Sequence, residues 1–164
     1  MSNRDTENLF QLIRLGQIEN FCNNLTDTDL GSINEDGQNL LHEAVAYKQL
    51  QIATFLIHSG IAVNHKDKNG QTPLHYATTL NQLEMSRLIL KHGGDVSLPD
   101  KHGNTPLWCA VFNARGRYEI VELLLLAGGI PTHKNKHGRS PLDFARQIAD
   151  EKLTAMLSGA NSGA

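Results

Sequence analysis

The chain has 164 residues, 40% of them hydrophobic and 20% charged, which suits one packed domain and excludes a disordered segment. The formal net charge is −2 and the isoelectric point about 6.4, so no global positive field draws the chain to DNA or RNA. The polar Met1–Asp5 start has no apolar stretch behind it, and the longest apolar run, 120–129, is broken by Glu122 and is too short to span a bilayer. Together these features predict a cytoplasmic protein with neither secretory signal nor membrane contact. The two cysteines, Cys22 and Cys109, lack metal-ligand spacing and read as reduced thiols.

A repeat organises the sequence. Gly37, Gly70, Gly103 and Gly138 follow one another at steps of 33, 33 and 35 residues. Leu41, Leu74, Leu107 and Leu142 keep the same steps, as do Ala44, Ala77, Ala110 and Ala145. Taken in chain order, five units are predicted. The first, about 5–34, is degenerate and is expected to present a polar outer face. The second, 35–67, carries Asn39-Leu40-Leu41-His42. The third, 68–100, opens on the turn Asp67-Lys68-Asn69-Gly70 and continues Thr72-Pro73-Leu74-His75. The fourth, 101–135, opens on Asp100-Lys101-His102-Gly103 and continues Thr105-Pro106-Leu107-Trp108. The fifth, 136–158, opens on Asn135-Lys136-His137-Gly138 and continues Ser140-Pro141-Leu142-Asp143, with an abbreviated second helix over 151–157. Residues 159–164 read as a flexible tail.

Each unit predicts two short helices. A glycine with positive φ closes the leading turn. Thr or Ser caps the first helix, and proline at its first position gives up only a donor that has no partner. The second helix shows helical apolar spacing, as in Leu83, Leu88 and Ile89 or Ile120, Val121 and Leu124, and ends at Gly60, Gly93-Gly94 or Gly128-Gly129. A single helix pair of this length cannot bury its apolar face, so the units must stack.

Period, turn, Thr-Pro-Leu-His and terminal glycines together resemble the ankyrin repeat over nearly the whole chain. The resemblance extends to the first unit, where Leu9, Leu12, Gly16, Ile18 and Glu19 sit at the family's spacings. It implies an all-α solenoid of helix-turn-helix units with hairpin-like finger loops, similar to the small stand-alone ankyrin proteins of bacteria. It further implies that a folded protein partner is held by the fingertips and the exposed face of the first helices. Carried onto this sequence, those positions are Glu35, Asp36 and Tyr47 in the second unit and Lys68, Asn69 and Leu80 in the third. In the fourth they are Lys101, His102, Phe112 and Asn113, and in the fifth Lys136, His137 and Arg139 at the finger with Arg146 and Gln147 in the groove. Tyr47, Leu80 and Phe112 form an apolar stripe that is either an interface core or a set of idle exposed side chains.

The fourth unit departs twice from the pattern. Two residues are added between its helices, in a stretch that includes Arg115, Arg117 and Tyr118, and the insertion is either a lengthened turn or part of a binding face. Trp108 stands where the family has the His that braces the adjoining turn; an indole can only donate, so Trp108 serves either as core or as an aromatic anchor.

No reaction chemistry emerges. His42 and His75 fall at the structural histidine of the motif, His133 and His137 lie in a turn, and the double glycines follow helices where a phosphate loop would open one. No cofactor or metal is expected. Residues 1–50 hold eight acids against three bases, and residues 115–146 hold six bases against three acids. A linear array therefore has an acidic end and a basic end, which can orient a partner of opposite polarity. The absence of a second module favours an inhibitor, such as an immunity protein or antitoxin against a toxin or enzyme, over an adaptor. Capped ends favour a monomer.

Overall fold

The structure, a computed structural model, describes residues 3–160. Five helix pairs follow in order: α1 (Asn3–Arg14) with α2 (Ile18–Asn24), α3 (Leu40–Ala46) with α4 (Leu50–His58), α5 (Pro73–Thr79) with α6 (Leu83–Lys91), α7 (Pro106–Asn113) with α8 (Glu119–Leu126), and α9 (Pro141–Gln147) with α10 (Glu151–Gly159). A 3₁₀ turn at Asp27–Gly31 leads into the second pair. The first helices pack side by side as one layer, α1 on α3, α3 on α5, α5 on α7 and α7 on α9. Helices α2, α4, α6 and α8 form the second layer. Among the described residues no helix is long and apolar enough to cross a membrane.

The repeat pattern in the sequence becomes the core. Leu41, Leu74 and Leu107 are fully buried, and Leu142 nearly so. Ala44, Ala77, Ala110 and Ala145 lie buried between adjacent first helices, where a larger side chain would hold the layer apart. Leu56, Ile89, Leu124 and Leu157 form the matching ladder beneath the second helices, each with no exposed surface. The first pair turns Leu9, Phe10, Leu12 and Ile13 inward and leaves Glu7, Asn8 and Gln11 exposed, the polar outer face expected of an end unit.

The last pair corrects one expectation. Helix α10 has nine residues, as many as α4 and α6, so it is not abbreviated, and it extends through Gly159 with Ala160 closing it. The predicted flexible tail thus loses its first two residues to this helix end, and 161–164 lie outside the described residues.

Each leading turn is closed by one Asx side chain. Asn34, Asp67, Asp100 and Asn135 each place Oδ1 on the backbone N–H groups two and four residues ahead, at 2.8–3.2 Å. Neighbouring turns are joined by single backbone bonds, with Lys68 N–H donating to the Asp36 carbonyl, Lys101 to Asn69 and Lys136 to His102. This close approach is why the turn glycine is required. A Cβ on Gly103 would lie 2.9 Å from the Lys136 nitrogen, whereas one on Gly138, in the last turn, would meet nothing within 4 Å. Both glycines have positive φ, +81° and +71°. Gly138→Ala is expected to cost about 1 kcal/mol for backbone strain alone, and Gly103→Ala roughly 2–3 kcal/mol because the neighbouring finger must also move. Equal losses of denaturation midpoint in the two variants would show that the fingers do not bear on one another.

A buried histidine ties each central repeat to the next. His42 Nε2 lies 3.0 Å from the Gln71 carbonyl, and His75 Nε2 lies 3.1 Å from the Asn104 carbonyl. In the fourth unit Trp108 makes no such bond, and its indole has no counterpart of the accepting Nδ1. The expected cap also fails there: the Thr105 hydroxyl is buried and makes no hydrogen bond, while Thr72 and Ser140 both close capping boxes. Without an acceptor on residue 108, nothing satisfies Thr105. Thr105→Val, which keeps shape and the extended backbone (φ −86°, ψ 166°), is therefore expected to be neutral or to stabilise by up to about 1 kcal/mol. Thr72→Val is expected to destabilise by about 1–2 kcal/mol, since it breaks a made cap. Equal urea midpoint losses for the two would contradict this.

Candidate binding face

The nine fingertip residues Glu35, Asp36, Lys68, Asn69, Lys101, His102, Lys136, His137 and Arg139 are all exposed. Their backbones are fixed by the Asx turns and the ladder between turns, so side chains project from a rigid row. Lys101 Nζ is drawn to Asn69 Oδ1 of the preceding finger. Along the row, charge passes from Glu35 and Asp36 to Lys136 and Arg139, as the sequence implied.

Behind the tips, the ends of the first helices present apolar side chains. Tyr47 is 48% exposed, Leu80 42% and Phe112 58%. The cause is local. Tyr47 and Leu80 are the residues that close α3 and α5, and the next residue, Lys48 or Asn81, turns left-handed at φ 58° or 52°. The chain reverses there, which leaves the closing side chain only partly covered. Leu15 and Ile148 sit at the same place in the first and last units, 60% and 49% exposed, each followed by a left-handed residue. Sequence reasoning missed both. It placed the fifth unit's groove at Arg146 and Gln147, where counting from Gly138 as in the other units reaches Ile148.

Two hollows lie between fingers and first helices. One, of about 320 Å³, is lined by Ala46, Gln71, Tyr76, Thr79 and Leu80. The next, of about 410 Å³, shares Gln71 and Thr79 and is walled by Trp108, Phe112, Asn113 and the finger residues Asp100, His102 and Asn104. Leu80 and Phe112 thus sit in adjoining hollows. Tyr47 lines neither. Trp108 is half-buried with its ring 5.9 Å from Phe144, and it also lines the larger hollow. Phe112 stands 5.2 Å from the same Phe144. Trp108 and Phe112, four residues apart on α7, share a helix face, and that spacing was the signal for a partner such as Phe144.

The two-residue insertion is secured on both sides. With its amide oxygen turned toward Arg117, Asn81 of the third unit accepts two bonds of 3.2 Å from the guanidinium. Tyr118 Oη donates to Asp150 of the fifth unit at 2.7 Å, which raises the phenol pKa, and Lys152 Nζ lies 5.1 Å over the Tyr118 ring. The longer turn therefore bridges its neighbours through Arg117 and Tyr118. Arg115, left-handed at φ 45°, is exposed.

Burial pushes the Cys109 thiol up to about 11, far from the thiolate that a nucleophile needs, and both cysteines are free. Among the described residues no three His, Cys, Asp or Glu side chains converge as metal ligands would.

The family description "Ankyrin repeats (3 copies)" matches residues 41–136, more than half of the chain. The chain is an ankyrin-repeat protein. The match runs from the first helix of the second unit through the third and fourth units to Lys136, the stretch that contains both hollows and the secured insertion. No curated protein matches the chain. The ankyrin-repeat assignment makes it a protein–protein interaction module.

Proposed function

We propose that this ankyrin-repeat chain is a non-catalytic, cytoplasmic binding protein, monomeric when free, that grips a folded protein and inhibits it by covering the partner's active surface. One observation carries the reading. Leu15, Tyr47, Leu80 and Ile148 repeat an exposed apolar side chain where each first helix closes, Phe112 exposes one a residue earlier in the fourth unit, and fixed polar fingertips lie beyond them. Folding gains nothing from that exposure, and a desolvated apolar centre with a polar rim is the anatomy of a protein interface. The charge gradient from Glu35 and Asp36 to Lys136 and Arg139 would set the partner's orientation. An immunity protein or antitoxin acting on a toxin or enzyme fits this arrangement.

An adaptor is the second reading. The second-helix layer also exposes apolar residues, Leu126 at 82% and Ile130 at 55%, which could serve as a second surface. The two readings separate once the partner is captured on immobilised protein and its own activity assayed. A single tight partner whose activity is abolished at stoichiometric addition supports inhibition. A partner that keeps full activity, particularly one released by Leu126→Ser, supports the adaptor.

A further inference from the structure

We infer that the 410 Å³ hollow of the fourth repeat is a socket for an arginine side chain of the protein partner. The inference deepens the binding reading above and rests on it only for the source of the arginine.

The hollow combines a carboxylate, aromatic walls and spare acceptors. Asp100 is 7% exposed and lines it. Its Oδ1 is occupied by the turn, accepting from His102 N–H at 2.8 Å and Asn104 N–H at 2.9 Å. Its Oδ2 has only a long 3.5 Å contact from Asn104 Nδ2. The corresponding carboxylate one repeat earlier is different: Asp67 Oδ2 accepts from Tyr76 Oη at 3.0 Å. The fourth repeat has Cys109 in place of that tyrosine, which both frees the carboxylate oxygen and opens the space in front of it. No cation is paired with Asp100 among the described residues.

A buried carboxylate with one oxygen so weakly held is costly unless a donor reaches it. Trp108 and Phe112 supply the second half of the recognition, since a planar guanidinium stacks on aromatic faces while its fork of N–H groups bonds an acceptor. Further acceptors are at hand. The Asn113 amide donates to the Cys109 carbonyl at 2.8 Å and keeps its oxygen free. A guanidinium has five donors to satisfy, and this wall offers acceptors on more than one side.

Trp108 is the only tryptophan in the chain, so its fluorescence reports the socket directly. The probe is a capped Gly-Arg-Gly tripeptide, with the citrulline tripeptide as its neutral isostere. The arginine peptide should change Trp108 emission saturably and the citrulline peptide should not. Asp100→Asn should weaken the arginine response roughly tenfold or more, because a charge-assisted bond is lost. This variant keeps the turn, since Asn34 and Asn135 hold identical turns elsewhere in the array. Asp67→Asn, in the already occupied carboxylate, should leave the response unchanged. No saturable change with arginine, or an equal change with citrulline, would overturn the socket even if Asp100→Asn proved unstable. The titration needs no protein partner, so its failure is distinguishable from failure to capture one.

Discussion

Replacing His75 with alanine is expected to lower the stability of the array by about 3 kcal/mol, a large loss for a side chain outside the apolar core. The imidazole has no exposed surface and is used on both edges. Nε2 donates to the Asn104 carbonyl at 3.1 Å, which makes Nδ1 the acceptor for the Thr72 N–H at 3.1 Å. Alanine would leave the Thr72 group unpaired, remove one of the side-chain bonds between the third and fourth repeats, and open a cavity. His137→Ala, at an exposed fingertip, should stay within about 0.5 kcal/mol of the native value. Urea titration followed by circular dichroism checks both. A His75 variant as stable as the His137 variant would refute the role of the buried histidines as ties between repeats.

The same burial makes the fold acid-sensitive. Burial pushes the His42 imidazole down to about 4, and His75 is lowered for the same reason. For His75, protonation would set an N–H against the Thr72 N–H. In the unfolded chain a histidine takes up its proton near pH 6.5. Between these two values the unfolded state binds more protons than the folded one, so stability is full above about pH 6.5 and falls as pH drops toward 4. The difference at His42 corresponds to about 3 kcal/mol, with His75 adding in the same direction. The urea midpoint should therefore decline steadily below about pH 6.5, earlier than carboxylate protonation would bring it down. A midpoint constant from pH 7 to pH 5 would contradict the neutral, bonded histidines.

The architecture was readable because it is periodic. A glycine, a leucine and an alanine recurring at 33 to 35 residues each mark a backbone or packing requirement, and the structure places all three where the period demands. The loss of the cap at Thr105 was also readable, since the indole of Trp108 lacks the acceptor that the histidine Nδ1 supplies in the second and third repeats. What the sequence hid depends on geometry between repeats. That Arg117 reaches Asn81 and Tyr118 reaches Asp150 follows from how far the longer turn extends, which no spacing encodes. Ile148 was passed over through counting one residue short in the last unit. The free oxygen of Asp100 was invisible because it arises from an absence nine residues away, where Cys109 replaces the tyrosine that serves Asp67.

The central claim is that the apolar row beside the fingers is a binding surface. Its most direct test measures partner affinity for three proteins: the native chain, the triple variant Tyr47→Ser, Leu80→Ser, Phe112→Ser, and Leu126→Ser on the other layer. All four side chains are at least two-fifths exposed and none belongs to the buried core, so each protein should fold, which thermal melts would check. The triple variant should lose roughly 100-fold or more in Kd, as expected when anchoring residues at an interface centre are removed, while Leu126→Ser binds as the native chain does. Native affinity in the triple variant, or loss of binding on Leu126→Ser alone, would place the interface elsewhere.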